Sequence, residues 1–172
     1  MREGLTLPVQ DLSADAFAPY GRVIRTPERS QDAQGPGWRW WAETQVLDGD
    51  DRPWGVGYLD LEPAPPPRFD WAERHLRTLE AVVPAHGDVI VYVGPAEDLD
   101  EPEPVPDLAG FEAFRVRSGD GVVLERGVWH GAPLADGGPA KAIVLILAGT
   151  GATDVTVVRF KDSPVRLEAG TA

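Results

Sequence analysis

The sequence contains no cysteine. A disulfide framework and a thiolate metal site are therefore excluded, and any bound metal must take its ligands from imidazole and carboxylate groups. Histidine is almost as scarce, with three residues in a chain of 172. Chemistry that depends on imidazole is consequently confined to His75, His86 and His130.

Basic side chains are also few. The chain carries 16 lysines and arginines against 28 aspartates and glutamates, which gives a formal net charge of -12. A surface of this sign repels both the phosphate backbone of nucleic acids and anionic lipid headgroups. We therefore expect a small-molecule substrate, and neither nucleic acid nor a membrane as a partner.

Long apolar runs are missing as well. The longest one, at residues 142–148, is far too short to cross a bilayer. The first residues contain no apolar stretch of the kind that a secretory signal requires. Both features predict a cytoplasmic protein.

Glycine and proline, in contrast, are frequent, with 19 and 17 residues respectively. They interrupt short runs of β-branched and aromatic residues at regular intervals, a pattern typical of an all-β sandwich or barrel. With 42% hydrophobic residues, the chain can bury the core of one domain, expected to span residues 1–172. One short N-terminal helix is predicted after Ser13. Strands are predicted at residues 22–25, 38–47, 54–61, 71–75, 79–83, 89–93, 112–116, 122–124, 141–147 and 155–160.

Two spaced motifs lie on either side of an acidic, proline-rich loop. The first reads Glu73-x-His75-x4-Glu80-x6-Gly87, and the second reads Gly119-x5-Glu125-x-Gly127-x2-His130. Because side chains alternate along a strand, His75 and Glu80 share a face only if residues 76–79 form a turn. The glycines allow bends that bring His130 across from His75.

These motifs resemble the two motifs of the cupin superfamily, with Glu73 in place of the first histidine. The resemblance implies an all-β, cupin-like jelly-roll barrel with the polar side chains in its lumen. Glu73, His75, Glu80 and His130 are then candidate ligands for one divalent metal, namely Zn, Mn, Fe or Ni, and no other cofactor is expected. The structural alternative is that His75 or His130 is a hydrogen-bonded core residue.

The flanking residues carry a closer resemblance. Four segments occur in order: Phe17-Ala-Pro-Tyr-Gly21, Glu73-Arg-His75, Glu80-Ala-Val-Val-Pro84, and Gly127-Val-Trp-His130 followed by Pro133-Leu134. Together they are similar to the ureidoglycolate lyase family, formerly called ureidoglycolate hydrolases. The resemblance implies a homodimer that splits ureidoglycolate into glyoxylate and urea, late in purine and allantoin catabolism.

That reaction assigns roles to named residues. Elimination of urea needs a base for the substrate hydroxyl and an acid for the departing nitrogen, and we expect His75, Glu80 and His130 to divide these catalytic tasks. The substrate carboxylate needs a cation as its partner. Trp129, beside His130, is expected near the mouth of the barrel. The predicted substrate-binding residues are Arg39, Arg74, Arg126, Trp129 and Lys141. By strand alternation, however, Arg74 should point away from the face that His75 uses.

Two other functions remain open at this point, because Glu80 stands where the family typically has glutamine. One is a metal-dependent cupin enzyme of another class, such as a dioxygenase or an isomerase. The other is a non-catalytic cupin that binds a small molecule, since a fold alone does not fix a function.

Overall fold

A computed structural model describes residues 4–169. This part of the chain is built almost entirely of short strands, with two one-turn α-helices, α1 (Ala14–Phe17) and α2 (Thr150–Thr153), and one 3-10 turn at Leu108–Gly110. Within it, no helix is long and apolar enough to cross a membrane. The strands are β1 (Thr6–Asp11), β2 (Gly21–Ile24), β3 (Ala33–Gly35), β4 (Trp38–Trp40), β5 (Trp54–Leu61), β6 (Arg68–Phe69), β7 (Trp71–Arg74), β8 (Glu80–His86), β9 (Val89–Gly94), β10 (Glu112–Val116), β11 (Gly121–Leu124), β12 (Trp129–His130), β13 (Leu134–Ala135), β14 (Ala140–Leu147), β15 (Thr156–Arg159) and β16 (Val165–Ala169).

The strands form two facing sheets and a small hairpin. The larger sheet has the order β15-β7-β12-β9-β10-β1-β16-β6, with β13 also paired to β9, and the smaller sheet has the order β2-β11-β8-β14-β5. The hairpin consists of β3 and β4. The two sheets curl around a shared apolar core as a half-barrel, so the predicted all-β, cupin-like fold is confirmed.

Strand β9 shows how the core separates the two faces of the larger sheet. All six of its residues are buried. Val89, Val91 and Val93 face the core between the sheets, whereas Ile90 and Tyr92 pack into a second cluster behind the larger sheet. Both faces of β9 are covered, which is why the strand is apolar throughout. The strands paired with β9 turn the partners of its valines toward the core between the sheets.

The bounds of two predicted strands were wrong, and one short helix was missed. Residues 41–47 do not continue the strand that begins at Trp38, and Glu43 has a φ of 50°, a left-handed conformation that interrupts an extended strand. The strand predicted at residues 79–83 extends further, because β8 continues to His86 through a register shift opposite Lys141. Helix α2 was not predicted. Helix α1 was predicted, and Ser13 caps it as expected by accepting a hydrogen bond from the amide of Ala16 at 3.2 Å.

The Gly21→Ala variant is expected to lose stability. Gly21 pairs with Leu124, and a Cβ at this position would lie 1.8 Å from the carbonyl oxygen of Val123. Neither backbone can move without separating β2 from β11, so we expect the free energy of unfolding to fall by at least about 2 kcal/mol in urea denaturation. Gly138→Ala is the matched control, because a Cβ there meets nothing within 4 Å. Equal stability of the two variants would contradict the close approach.

Candidate active site

Four polar side chains that the sequence singled out meet between the two sheets. Oε2 of Glu80 lies 3.5 Å from Nε2 of His75 and 3.4 Å from Nε2 of His130. The two imidazole rings are 5.2 Å apart between centroids. Glu73 joins them, since it, His75 and His130 each place one potential ligand atom within 4.8 Å of the others.

Both sheets contribute to this cluster. Glu73 on β7 lies directly opposite His130 on β12, and His130 also pairs with Val93 on β9. Since Val93 faces the core, Glu73 and His130 point into the same space. Glu80 begins β8 in the smaller sheet and pairs there with Leu124, another core residue. The site therefore spans the gap between the sheets.

The chain reverses between His75 and Glu80, as the motif spacing predicted. Residues 75–79 leave the strand conformation after β7, and β8 begins at Glu80 in the other sheet. The backbone carbonyl of His75 accepts a hydrogen bond from the amide of Gly127 at 2.7 Å. That bond ties the first motif to the second, close to His130.

Backbone carbonyls fix the orientation of both imidazoles. Nδ1 of His75 lies 2.6 Å from the carbonyl oxygen of Asp154, and Nδ1 of His130 lies 2.9 Å from that of Val128. Because a carbonyl can only accept, each Nδ1 carries the hydrogen, and each Nε2 of a neutral ring directs a lone pair at Glu80. Within residues 4–169, Nε2 of His130 is buried and has no hydrogen-bond partner.

The electrostatics of the cluster favour a positive charge between these groups. Burial on its own raises the pKa of Glu80, but the charges of His130 and then His75 outweigh burial and lower the pKa to about 2. Burial likewise lowers the pKa of His130, and the negative charge of Glu80 outweighs it, so that the pKa of this imidazole is raised. A carboxylate that stays ionised beside two inward lone pairs suits a proton or a divalent metal.

The donor set fits a divalent cation. Imidazole nitrogen and carboxylate oxygen are ligands that Zn, Mn, Fe and Ni accept. Glu73, His75 and His130 form a three-residue group that can hold a metal.

Comparison with known proteins decides the family. The family model described as ureidoglycolate lyase matches residues 4–168. The chain belongs to the ureidoglycolate lyase family. The family resemblance predicted from the four ordered segments is thereby confirmed.

Individual relatives agree with this assignment. A ureidoglycolate lyase of Rhodobacter capsulatus is 33% identical over 150 residues, which cover 85% of this chain and 89% of the relative. A ureidoglycolate lyase of Pseudomonas syringae pv. tomato is 31% identical over 131 residues, or 73% of each chain. Among solved structures, a TDP-quinovose 3,4-ketoisomerase of Campylobacter jejuni has a TM-score of 0.43 at 15% identity, over 63% of this chain and 71% of that chain. A TM-score of 0.43 is too low to support an inference about this protein.

Arg74 and Trp129 do not reach the site in this member of the ureidoglycolate lyase family. Arg74 is buried on the opposite face of β7 and donates hydrogen bonds to the carbonyl oxygens of Glu97 and Asp98. Its guanidinium lies over the ring of Trp129 at 4.9 Å. Trp129 precedes His130 in β12 and packs into the cluster behind the larger sheet, so strand alternation turns it away from the lumen rather than toward its mouth.

Lys141 and Arg39 are likewise placed elsewhere. Lys141 pairs with Asp60 on the outer face of the smaller sheet, at 3.3 Å. Along β14 it lies five residues from Ile146, the partner of Glu80, which is roughly 16 Å at the rise of a strand. Arg39 is exposed on the β3–β4 hairpin, with its guanidinium over the ring of Trp41.

Arg126 is the remaining predicted cation, and its backbone lies next to the segment that contacts His75. It precedes Gly127, whose amide donates to the carbonyl of His75. Its half-buried side chain lies 3.6 Å from the carboxylate of Asp48.

A cleft of about 260 Å³, lined by residues that include Phe69, Trp71 and Tyr92, lies behind the larger sheet. It includes none of the four clustered residues.

Asp154 is a site neighbour that the sequence analysis missed. It is separated from His75 by 79 positions and belongs to no motif. Only the pairing of β15 with β7 brings the two residues together. A polar residue just before a strand gives no signal of such a contact in one sequence.

The Glu80→Gln variant of metal-free protein is expected to lose stability in a pH-dependent way. Because the folded-state pKa of Glu80 lies below its ordinary value of 4.5, its contribution exists above pH 4.5 and is lost as the pH falls toward about 2. Because the folded-state pKa of His130 lies above 6.5, its contribution exists below pH 6.5 and is lost as the pH rises through the raised value. The deficit should therefore be largest between pH 4.5 and 6.5, at about 3 kcal/mol.

Urea denaturation at about pH 3, 5.5 and 8, after dialysis against a chelator, measures this deficit. A difference between wild type and Glu80→Gln that does not change with pH would show that the carboxylate and the imidazole are not coupled as described.

Proposed function

We propose that this protein is a lyase that splits ureidoglycolate into glyoxylate and urea. The observation that carries the proposal is the placement of the Glu80 carboxylate against Nε2 of both His75 and His130, in a chain that matches the ureidoglycolate lyase family over residues 4–168. No observation favours a dioxygenase, an isomerase or a non-catalytic binding protein.

The reaction needs only the movement of one proton and the cleavage of one bond. In ureidoglycolate a single carbon bears the hydroxyl, the carboxylate and the ureido nitrogen. The hydroxyl O–H bond and the C–N bond break, while the C=O bond of glyoxylate and an N–H bond of urea form. Neither an oxidant nor an added water is consumed, so a base and an acid suffice.

Glu80 is the group that moves this proton. Its lowered pKa keeps it ionised at neutral pH, and it is largely buried, with a side chain that is 13% exposed. In the proposed reaction it accepts the hydroxyl proton and returns it to the departing ureido nitrogen. A carboxylate is a much weaker base than an alkoxide, so the hydroxyl must be made more acidic than an ordinary alcohol.

A divalent metal answers that requirement. Glu73, His75 and His130 would hold the ion. Glu80, the fourth polar side chain of the cluster, would remain the base beside them. When bound, the ion would act as a Lewis acid that lowers the pKa of the substrate hydroxyl. The two carbonyl-anchored imidazoles keep their Nε2 lone pairs turned inward for this purpose.

Arg126 is the proposed partner of the substrate carboxylate. It adjoins the segment that contacts His75, and its ion pair with Asp48 is part-exposed, with side chains 36% and 67% accessible. Such a pair contributes little stability, so the guanidinium can exchange Asp48 for a substrate carboxylate at low cost.

Other expectations from the sequence stay predictions. They are a single domain over residues 1–172, a homodimer, a cytoplasmic location and a place in allantoin catabolism. Exposed Trp38, Trp40, Val56 and Tyr58 support an interface between subunits.

Loss of the cluster should abolish the reaction. We expect Glu80→Gln and His130→Ala each to lower kcat for glyoxylate release from ureidoglycolate by at least about 100-fold, because each removes a group that handles the proton or orients the site. His86→Ala is the matched control, since His86 is an exposed histidine at the far end of β8. If folded wild-type protein releases no glyoxylate, the lyase assignment fails.

Metal content is the second test of the proposed function. We expect about one divalent ion per chain in the purified protein, a loss of glyoxylate release after chelation, and recovery when the ion is restored. Glu73→Gln and His75→Ala should both reduce the bound metal. Full activity in chelator-treated protein that contains no metal would remove the ion from the reaction and leave the proton transfer to the four side chains.

A further inference from the structure

We propose that Asp154 is a positioning residue that sets the orientation and the tautomer of His75. The inference rests on the proposed function for its effect on catalysis, but its structural part does not. Asp154 contacts His75 from two sides, once through its main chain and once through its carboxylate.

The main-chain contact acts on the ring. The carbonyl oxygen of Asp154 lies 2.6 Å from Nδ1 of His75. Asp154 itself is held at the end of α2, where its amide donates to the carbonyl of Thr150 at 2.9 Å, and β15 begins at Thr156, paired with Arg74 on β7. The acceptor is therefore placed by a helix end and a strand start, both close to the site.

The carboxylate contact acts on the backbone that follows His75. Oδ1 of Asp154 accepts a hydrogen bond from the amide of Leu76 at 3.0 Å, and Oδ2 accepts one from the amide of Arg77 at 2.8 Å. These two amides open the turn that carries the chain from His75 to Glu80. The carboxylate is shielded from solvent, with a side chain that is 7% exposed.

The turn, rather than an ion pair, is what the carboxylate stabilises. Nε of Arg77 lies 3.7 Å from Oδ1 of Asp154, and the Arg77 side chain is 59% exposed, so this pair contributes little. Hydrogen bonds from two amides to one ionised carboxylate are stronger. Alanine at position 154 removes both acceptors, and asparagine keeps one oxygen, so it leaves one of the two amides unpaired.

Loosening this turn should release His75 without deleting its acceptor. The carbonyl of residue 154 remains in every variant, so a change in the His75 tautomer can only come from movement of the turn or of residue 154. Catalytic groups tolerate displacements of only about 0.5 Å before rates fall. We therefore expect an effect on kcat rather than on substrate binding.

The test compares Asp154→Ala and Asp154→Asn with Asp88→Asn. Asp88 is a matched control, because its carboxylate accepts the amide of Ser118 at 2.9 Å and its carbonyl accepts the amide of Asp136 at 3.0 Å. It directly precedes β9, whose other end contains Val93, the partner of His130. Asp88 thus also accepts hydrogen bonds through both its carboxylate and its carbonyl, but at the end of β9 away from His130.

Two readouts are measured: the imidazole 15N shifts of chelator-treated protein, in which no ion holds Nε2 and the shifts report the tautomer, and the kcat and KM of glyoxylate release by the purified protein. We expect His75 to be a pure Nδ1–H tautomer in wild type and in Asp88→Asn, and a mixture of tautomers in Asp154→Ala. In that variant kcat should fall about tenfold or more, with KM within about threefold of wild type. Asp154→Asn should lie between the two.

Unchanged His75 shifts in folded Asp154→Ala would overturn the proposal. If Asp154→Ala does not fold, Asp154→Asn decides by the same shifts. If wild type shows no lyase activity, the proposed function fails, while the 15N shifts still decide the role of Asp154.

Discussion

The carboxylate of Glu80 is the group on which the site depends. It enters from the smaller sheet, whereas the two imidazoles that face it come from β12 and from the end of β7 in the larger sheet. Withdrawing an ionised carboxylate from water is costly unless positive charge lies beside it. A cation between the sheets, whether a proton or a metal, would therefore stabilise the packing of the two sheets, so the proposed catalytic centre cannot be separated from the packing around it.

The apolar core supplies the complementary constraint. Strands β8, β9, β11 and β14 bury valine, leucine and alanine side chains between the sheets, and these contacts fix the distance across which Glu80 meets the histidines. Three irregular segments then complete the geometry: the turn after His75, the loop ending at Gly127 and the segment after α2. Each donates or accepts backbone hydrogen bonds at His75 or directly beside it.

Much of this arrangement was accessible from the sequence, because it depends on local spacing. The periodic glycines and prolines predicted an all-β fold, and the motif spacing predicted that Glu73, His75, Glu80 and His130 converge. The substrate-binding residues were less accessible. Strand alternation predicted that Arg74 points away, yet the same rule, applied to Trp129 beside His130, would have excluded Trp129 as well.

The remaining differences from the predicted site depend on long-range pairing. Lys141 lies on a strand that contacts Glu80 only at its other end, and Asp154 reaches His75 only because β15 pairs with β7. Neither register can be read from residue types near the motifs, since it is set by the tertiary fold. The left-handed conformation of Glu43 could not be predicted either. A glycine would have indicated such a conformation, but a glutamate does not.

The division of labour within β12 has an evolutionary consequence. Trp129 packs behind the larger sheet beneath Arg74, while His130, its immediate neighbour, faces the cluster. Adjacent residues of a strand point to opposite faces of the sheet. A residue that faces the cluster can therefore be replaced while its neighbours on the other face keep their packing. A lineage built on this scaffold can thus acquire new chemistry through single substitutions at alternate positions, without first having to redesign its core.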